Sequence, residues 1–426
     1  MPRDAAFAPT FSHPASDTPV VRALNSQARQ TFETDGLPTS RDEEWRFTPV
    51  SRVLATAFTP ADAARAELDG HGIDEAVRLV LVNGRPDLEA SDLVDLPAGV
   101  TVMPLEQAVA DHEALVEARL GQLATAEDHA FVALNTAQEL RGAFVHIAAS
   151  TEIERPIHLV NLTAGVEAVT YPRTLVVVEQ DARVTLVEGF AGTGDTLSCP
   201  VTEIFVGPNA NVKHVRLQEE DRRAHHLGAV GTRLERDANY ALTSVFMGGD
   251  VSRVDLFVDL VGPGAHAALD GLTLGRERQH GTHQVRLRHL VPDCTSEQRF
   301  RSVVADRSHA VFTGRIVVAQ DAQKTDAIQS SRALLLSDTA VATNNPQLEI
   351  YADDVKCTHG STVGELDAEA LFYMRTRGLS REAAEALLTI AFAAEVLEAI
   401  PVESIRTRLE TELGHRLGGE RTFEEV

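Results

Sequence analysis

The feature that most restricts how this chain can fold is a repeat of about 28 residues. "DARVTLVEGF" begins at Asp181, "NANVKHVRL" at Asn209, "DANYALTSVF" at Asp237 and "GAHAALDGL" at Gly264, starts that lie 28, 28 and 27 residues apart. The frame extends back to "ERPIHLV" at Glu154 and forward to "DCTSEQRF" at Asp293 and "DAQKTDAIQ" at Asp321, at offsets of 27, 29 and 28. Helical periodicity is lost across this region, and short β-prone runs alternate with Gly, Asp, Asn and Pro. Such a repeat predicts a β-solenoid in which each copy forms about one coil and stacks on the next at roughly 4.8 Å. Successive coils then pair their backbones, the Asp, Asn or Gly that opens most copies takes the corner, and the inward residues form a continuous apolar column. A propeller or a sandwich also has spaced strands, but neither requires so steady a period. The open ends of such a stack need cover, which gives the flanking regions a physical purpose.

The expected organisation is an N-terminal helical or α+β region over 1–140, a mainly β solenoid core over 141–364, and a C-terminal helical region over 365–426. "VVRALNSQARQTF" places Val21, Leu24, Ala28 and Phe32 at helical spacing. "PLEQAVADHEALVEARL" and "EDHAFVALNTAQEL" read as further helices, and Ala76 to Gly84 reads as a strand. At the other end "DAEALFYMRTRG" sets Leu371, Met374 and Phe372 on one side, with Gly378 as its C-terminal cap. Ser380 caps the next helix, which stops before Pro401, and "VESIRTRLETELGHRL" supplies a third. So short a helical tail must dock on its own body or on a partner.

Several kinds of chemistry are excluded or disfavoured. The chain has 63 acidic residues against 39 Lys and Arg, a net charge of −24, so nucleic acid and anionic lipid are poor partners. The first twenty residues lack a signal peptide's apolar centre and read as a polar lead-in, and "ALLTIAFAAEVLEAI" is too short and too charged to cross a bilayer; a soluble, cytoplasmic protein is expected. There is no phosphate-loop motif, so the chain should not hydrolyse nucleotides itself. Gly192 and Gly194 in "GFAGTGDTL" precede a strand and read as a plain turn. Cys199, Cys294 and Cys357 are too few and scattered for a disulfide framework, and without CxxC the chain alone cannot supply four thiolates. "HGTHQVRLRHLVPDC" gathers His280, His283, His289 and Cys294, either as a metal site or as a polar solenoid face; the spacing matches no zinc pattern. Asp353 and Asp354 point opposite ways in an extended strand and read as turn formers.

The remaining candidate is "YADDVKCTHG". If "DVKCTHG" is extended, Cys357 and His359 project from one face with Cα atoms about 6.6 Å apart, close enough to converge on one bound atom. Val355 shares that face, while Lys356 and Thr358 point away. A buried thiol and a hydrogen-bonded histidine explain the same pattern. Two soft donors cannot complete a tetrahedral site, so a metal role needs further ligands, most simply from another chain.

"PQLEIYADDVKCTHGSTVGELDAEALFYMRTRGL" (Pro346 to Leu379), "DAQKTDAIQSSRALLLS" (Asp321 to Ser337) and "RDEEWRFTPV" (Arg41 to Val50) resemble the SufB/SufD family of the SUF iron–sulfur cluster assembly machinery. The likeness runs from about residue 40 to 380 and is nearer the SufD branch, since SufB reads Glu-His-Glu-Ala where this chain reads "CTHG". The resemblance implies a right-handed parallel β-helix between helical ends, a non-catalytic scaffold role, pairing with SufB through the β-helices, and a C-terminal region that grips the SufC ATPase. It implies that Cys357 and His359 lie at the SufB interface and take part in building a transient iron–sulfur cluster. Phe372, Tyr373, Arg375 and Arg377 become candidate SufC contacts, with packing on the solenoid end as the alternative. A homodimer is expected to be possible in isolation, and reduced flavin in the complex is implied without any residue assigned. Two other readings suit a solenoid: a β-helix carbohydrate-active enzyme, disfavoured by the low aromatic content, and a self-assembling structural filament.

Overall fold

The computed structural model describes residues 6–11, 18–65, 68 and 70–416. Parts of the expected polar lead-in (1–5 and 12–17) and of the expected helical tail (417–426) lie outside the described residues.

From Gly142 onward the strands alternate between two sheets, so that each coil contributes one main strand to either side of a flattened parallel β-solenoid. Sheet B runs through Arg183–Thr193, Asn211–Gln218, Asn239–Phe246, His266–Gly275, Thr295–Val304, Asp326–Leu335 and Lys356–Gly364. Sheet A includes His225–Leu234, Val251–Leu260, His280–His289, His309–Val318 and Val341–Ile350. Neighbouring coils pair in parallel and in register, as in Asn211 with Asn239 and Val251 with His280.

The corners explain the repeat. Asp181, Asn209, Asp237 and Asp293 all sit at φ between 56° and 61°, a left-handed conformation that Asp and Asn tolerate. Successive corners also bond each other, Asn209 Nδ2 donating to Asp181 Oδ1 at 2.6 Å. Gly264 takes the same place at φ 78°, where a Cβ would collide with the Asp237 carboxylate.

Two copies depart from the expected frame. The corner expected at Asp321 falls on Lys324, and Thr295 pairs with Asp326, because the turn before that strand is longer. The corner expected at Glu154 falls on Ser150, with Ile157 paired to Leu186. The sheets also run through the boundary expected near residue 140. Val77–Val82 pairs with Ile157–Ala164 and extends sheet B, while Val100–Pro104 pairs antiparallel with Gly142–Ile147 and extends sheet A.

The interior is not the unbroken apolar column expected. Leu186, Leu242 and Leu269 line one register with His214 among them. His214 bonds both Glu188 (3.0 Å) and the Tyr240 hydroxyl (3.0 Å), and Thr202 donates to Glu188 at 2.9 Å. Burial raises the Glu188 carboxyl, but its His214, Arg216 and Thr202 partners outweigh that and hold it below the usual range.

The flanks dock on the body, but the C-terminal helices lie along the side of sheet B and leave the last coil uncovered, contrary to the cover expected at the ends of the stack. Helix Pro19–Asp35 buries Val21, Ala28 and Phe32; Asn25 is buried beside them because its amide donates to the Gln138 carbonyl at 2.9 Å. The run Pro104–Leu120 breaks at His112 (φ −129°, ψ 36°) into Leu105–Asp111 and Glu113–Glu117. Helices Arg381–Leu397 and Glu403–Arg416 lay Ala393, Val396, Leu397, Leu409 and Leu413 on Val187, Val215, Val245 and Val303, the outward side of sheet B. Arg408 pins this contact through Glu219, at 2.6 and 2.9 Å.

Candidate functional site at the open end of the solenoid

The stack ends on two strands, Val341–Ile350 in sheet A and Lys356–Gly364 in sheet B, each paired on one edge only. Both are rich in polar side chains where earlier coils are buried, and exposed Val341, Ile350, Tyr351 and Val363 lie on or beside them. Unpaired strand edges with exposed apolar residues favour a partner.

Cys357 and His359 share a face of the strand Lys356–Gly364, as their spacing implies. Cys357 pairs in register with Ala327, and His359 with Gln329, both fully buried in the coil beneath. The Cys357 face therefore points down the solenoid axis side, and Val355 and Cys357 pack on the main core cluster. Cys357 is half-buried and His359 exposed, so the pair caps the interior at its open end. Burial pushes the Cys357 thiol up, and the Asp326 carboxylate adds to the rise. In the isolated chain the sulfur holds its proton, and a cation at the site would have to displace it.

Asp353 and Asp354 form a bend, with Asp354 paired to Lys324 across the last corner, which fits their reading as turn formers. The histidine group does not converge. His283 stacks on Phe246 and meets Phe300 at a tilt in the interior, His289 meets Ser296 Oγ at 2.9 Å, and His280 packs edge-on against His309. Cys294 meets the Gly262 carbonyl at 3.4 Å. Burial holds His283 down at about 3 and His289 at about 4, so both rings are neutral packing groups. Among the described residues no cluster of three His, Cys, Asp or Glu side chains could hold a metal ion.

Helix Ala368–Thr376 follows the Cys357 strand after only Glu365, Leu366 and Asp367, and it buries none of its residues. Phe372 is 70% exposed and Tyr373 59% exposed, so neither packs on the solenoid end; Arg375 and Arg377 are exposed beside them. The Arg377 guanidinium lies over the Tyr373 ring at 5.1 Å, which holds the two as a unit. Leu371 and Met374 are half-buried as expected, whereas Phe372 is not on their side.

The "RDEEWRFTPV" stretch turns out to be a clamp. Trp45 is buried under the guanidinium of Arg253 at 3.9 Å, and Arg253 donates to the Glu44 carbonyl (2.6 Å) and Thr48 Oγ1 (3.0 Å). Asp255 neutralises Arg253 and meets His129 at 3.0 Å, tying the N-terminal region to sheet A. Neither Arg253 nor Asp255 stands out in the sequence; apart from each other, their partners Glu44, Trp45, Thr48 and His129 come from far along the chain.

Comparison with known proteins agrees with this geometry. The family described as "SUF system FeS cluster assembly, SufBD core domain" matches residues 160–392, and "SufBD protein N-terminal region" matches residues 14–159. The chain belongs to the SufBD family. It is similar to an iron–sulfur cluster assembly SufBD family protein of Synechocystis sp., at 36% identity over 88% of this chain and 86% of that one. It is also similar to the iron–sulfur cluster assembly protein SufD of Escherichia coli, at 31% identity over 92% of each chain. The SufD of Bacillus subtilis is 24% identical over 95% of this chain and 96% of its own. A SufBD protein of iron–sulfur cluster assembly thus replaces the carbohydrate-enzyme and filament readings. No described helix is long and apolar enough to cross a membrane.

Proposed function

We propose that this chain is the cytoplasmic, non-catalytic SufD-type scaffold of the SUF machinery, which pairs with SufB through the open end of its β-helix and holds the SufC ATPase by its exposed helix. The observation that carries this is the free outer edge of the strand Lys356–Gly364, with a half-buried thiol and an exposed imidazole on the strand's inward face. A second β-helix set against that edge would supply missing ligands, so that iron and sulfide collect at the seam. Cys357 would lose its proton on binding iron, and His359 would offer neutral imidazole, a ligand more easily exchanged than thiolate. Helix Ala368–Thr376 is tethered by three residues to this same strand, so a pull on Phe372 and Tyr373 by closing ATPase subunits would act directly on the seam.

The test is co-purification from the native host with cluster yield measured on the assembled complex. A small ABC-type ATPase and a homologous β-helix subunit should accompany the tagged chain. His359→Ala should keep the complex and lower cluster yield, while Phe372→Ala with Tyr373→Ala should lose the ATPase. Unchanged yield with His359→Ala rejects the ligand role.

A further inference from the structure

We propose that Gln329 is a positioning residue for His359: its amide oxygen, buried and without a partner in this structure, accepts a ring N–H when the exposed imidazole turns inward, and so fixes which nitrogen is left free for iron. The inference rests on the reading of His359 as a ligand. The register that ends at His359 is Leu242, Leu269, Gln298, Gln329, His359. Below Gln298 the same register carries Leu186, His214, Leu242 and Leu269, and its last three layers are all polar, although Gln298 and Gln329 are as buried as the leucines before them.

Burying amides is costly unless they have partners. Gln329 Nε2 donates to Gln298 Oε1 at 2.9 Å, which orients the amide. Its Oε1 is buried without a partner. Gly314 on the facing sheet leaves room for this arrangement, since a Cβ there would run into Gln329 Nε2. The next layer of the same register holds His359, with its Cα about 4.8 Å above that of Gln329. A neutral imidazole has one N–H and one free nitrogen. An acceptor fixed beneath it selects the tautomer, orients the ring and makes the other nitrogen more basic, as partners of metal-binding histidines do.

The test uses the full-length protein labelled with 15N-histidine, at a pH where the ring is neutral, with His359→Ala to assign the signal. A ring N–H of His359 protected from solvent exchange is expected. Gln329→Leu should abolish that protection and slow cluster formation in the assembled complex by about 10–100-fold. Gln329→Glu should restore both, because a carboxylate can only accept; Gln298, whose Nε2 is unpartnered, can turn to donate to it. An unchanged N–H signal in Gln329→Leu overturns the proposal, as does a lost signal with normal cluster formation. A Gln329→Glu protein that folds but restores neither overturns it too. The reading of His359 as a ligand fails separately, if His359→Ala leaves cluster yield unchanged.

Discussion

His283 should set part of the acid sensitivity of the solenoid. Its ring stacks on Phe246 with centroids 4.3 Å apart and planes 14° from parallel, and Nε2 meets Ser244 Oγ at 3.1 Å. Burial, helped by the Arg216 charge, depresses its pKa to about 3 from an ordinary 6.5. The unfolded chain therefore takes up a proton near pH 6.5 that the folded chain refuses until about pH 3. This contribution to stability is complete above pH 6.5 and is lost progressively as pH falls towards 3. From pH 7.5 to 5.0 the loss from this one group is about 2 kcal/mol. The perturbation is His283→Phe, which keeps the stack and removes the titration. It leaves Ser244 and Thr273 short of a partner at a cost of about 1–3 kcal/mol, but that cost is equal at both pH values and cancels in the comparison. Urea unfolding at pH 7.5 and 5.0 should show wild type losing about 2 kcal/mol more than the variant. The reasoning is refuted if both proteins lose the same amount.

Two further outcomes follow from burial. Of the three thiols, Cys199 and Cys294 are buried and Cys357 is half-buried, so native protein should react with a thiol reagent at Cys357 alone, and Cys357→Ser should abolish that reaction. Its rate should still be climbing above pH 9, since the thiol is raised; a plateau near neutral pH would contradict the structure. Arg253→Met strands the buried Asp255 carboxylate beside His129 and uncovers Trp45, and should destabilise by about 3–5 kcal/mol. Denaturant unfolding checks it, and a change below about 0.5 kcal/mol would mean the clamp is idle.

Much of the candidate site is legible because it is local. Alternation along a strand puts Cys357 and His359 on one face, and Gly378 and Ser380 punctuate the tail where the helices stop and start. The exposure of Phe372 and Tyr373 is not legible, because whether an aromatic on a short helix packs or projects depends on what lies beside the helix. Gln329 sits in plain view within "DAQKTDAIQ", yet it means nothing until its layer is known. With the corner at Asp321 instead of Lys324 it would fall under a different residue, and the register with His359 would vanish. The histidines of "HGTHQVRLRH" mislead for a related reason: spacing shows which side chains share a face, not whether aromatic rings already fill the space between them.

By itself the sequence determined the coil, its period, the residues at most of its corners and the pairing of a thiol with an imidazole on one strand face. All of these follow from turn chemistry and from the two-residue alternation of a strand, which act over a few neighbouring positions. Only the tertiary structure decided which coil stays uncovered, which polar groups enter the interior, and what lies under His359. Those depend on contacts between residues a whole coil or more apart, and a turn longer by two residues is enough to exchange every partner in the layer.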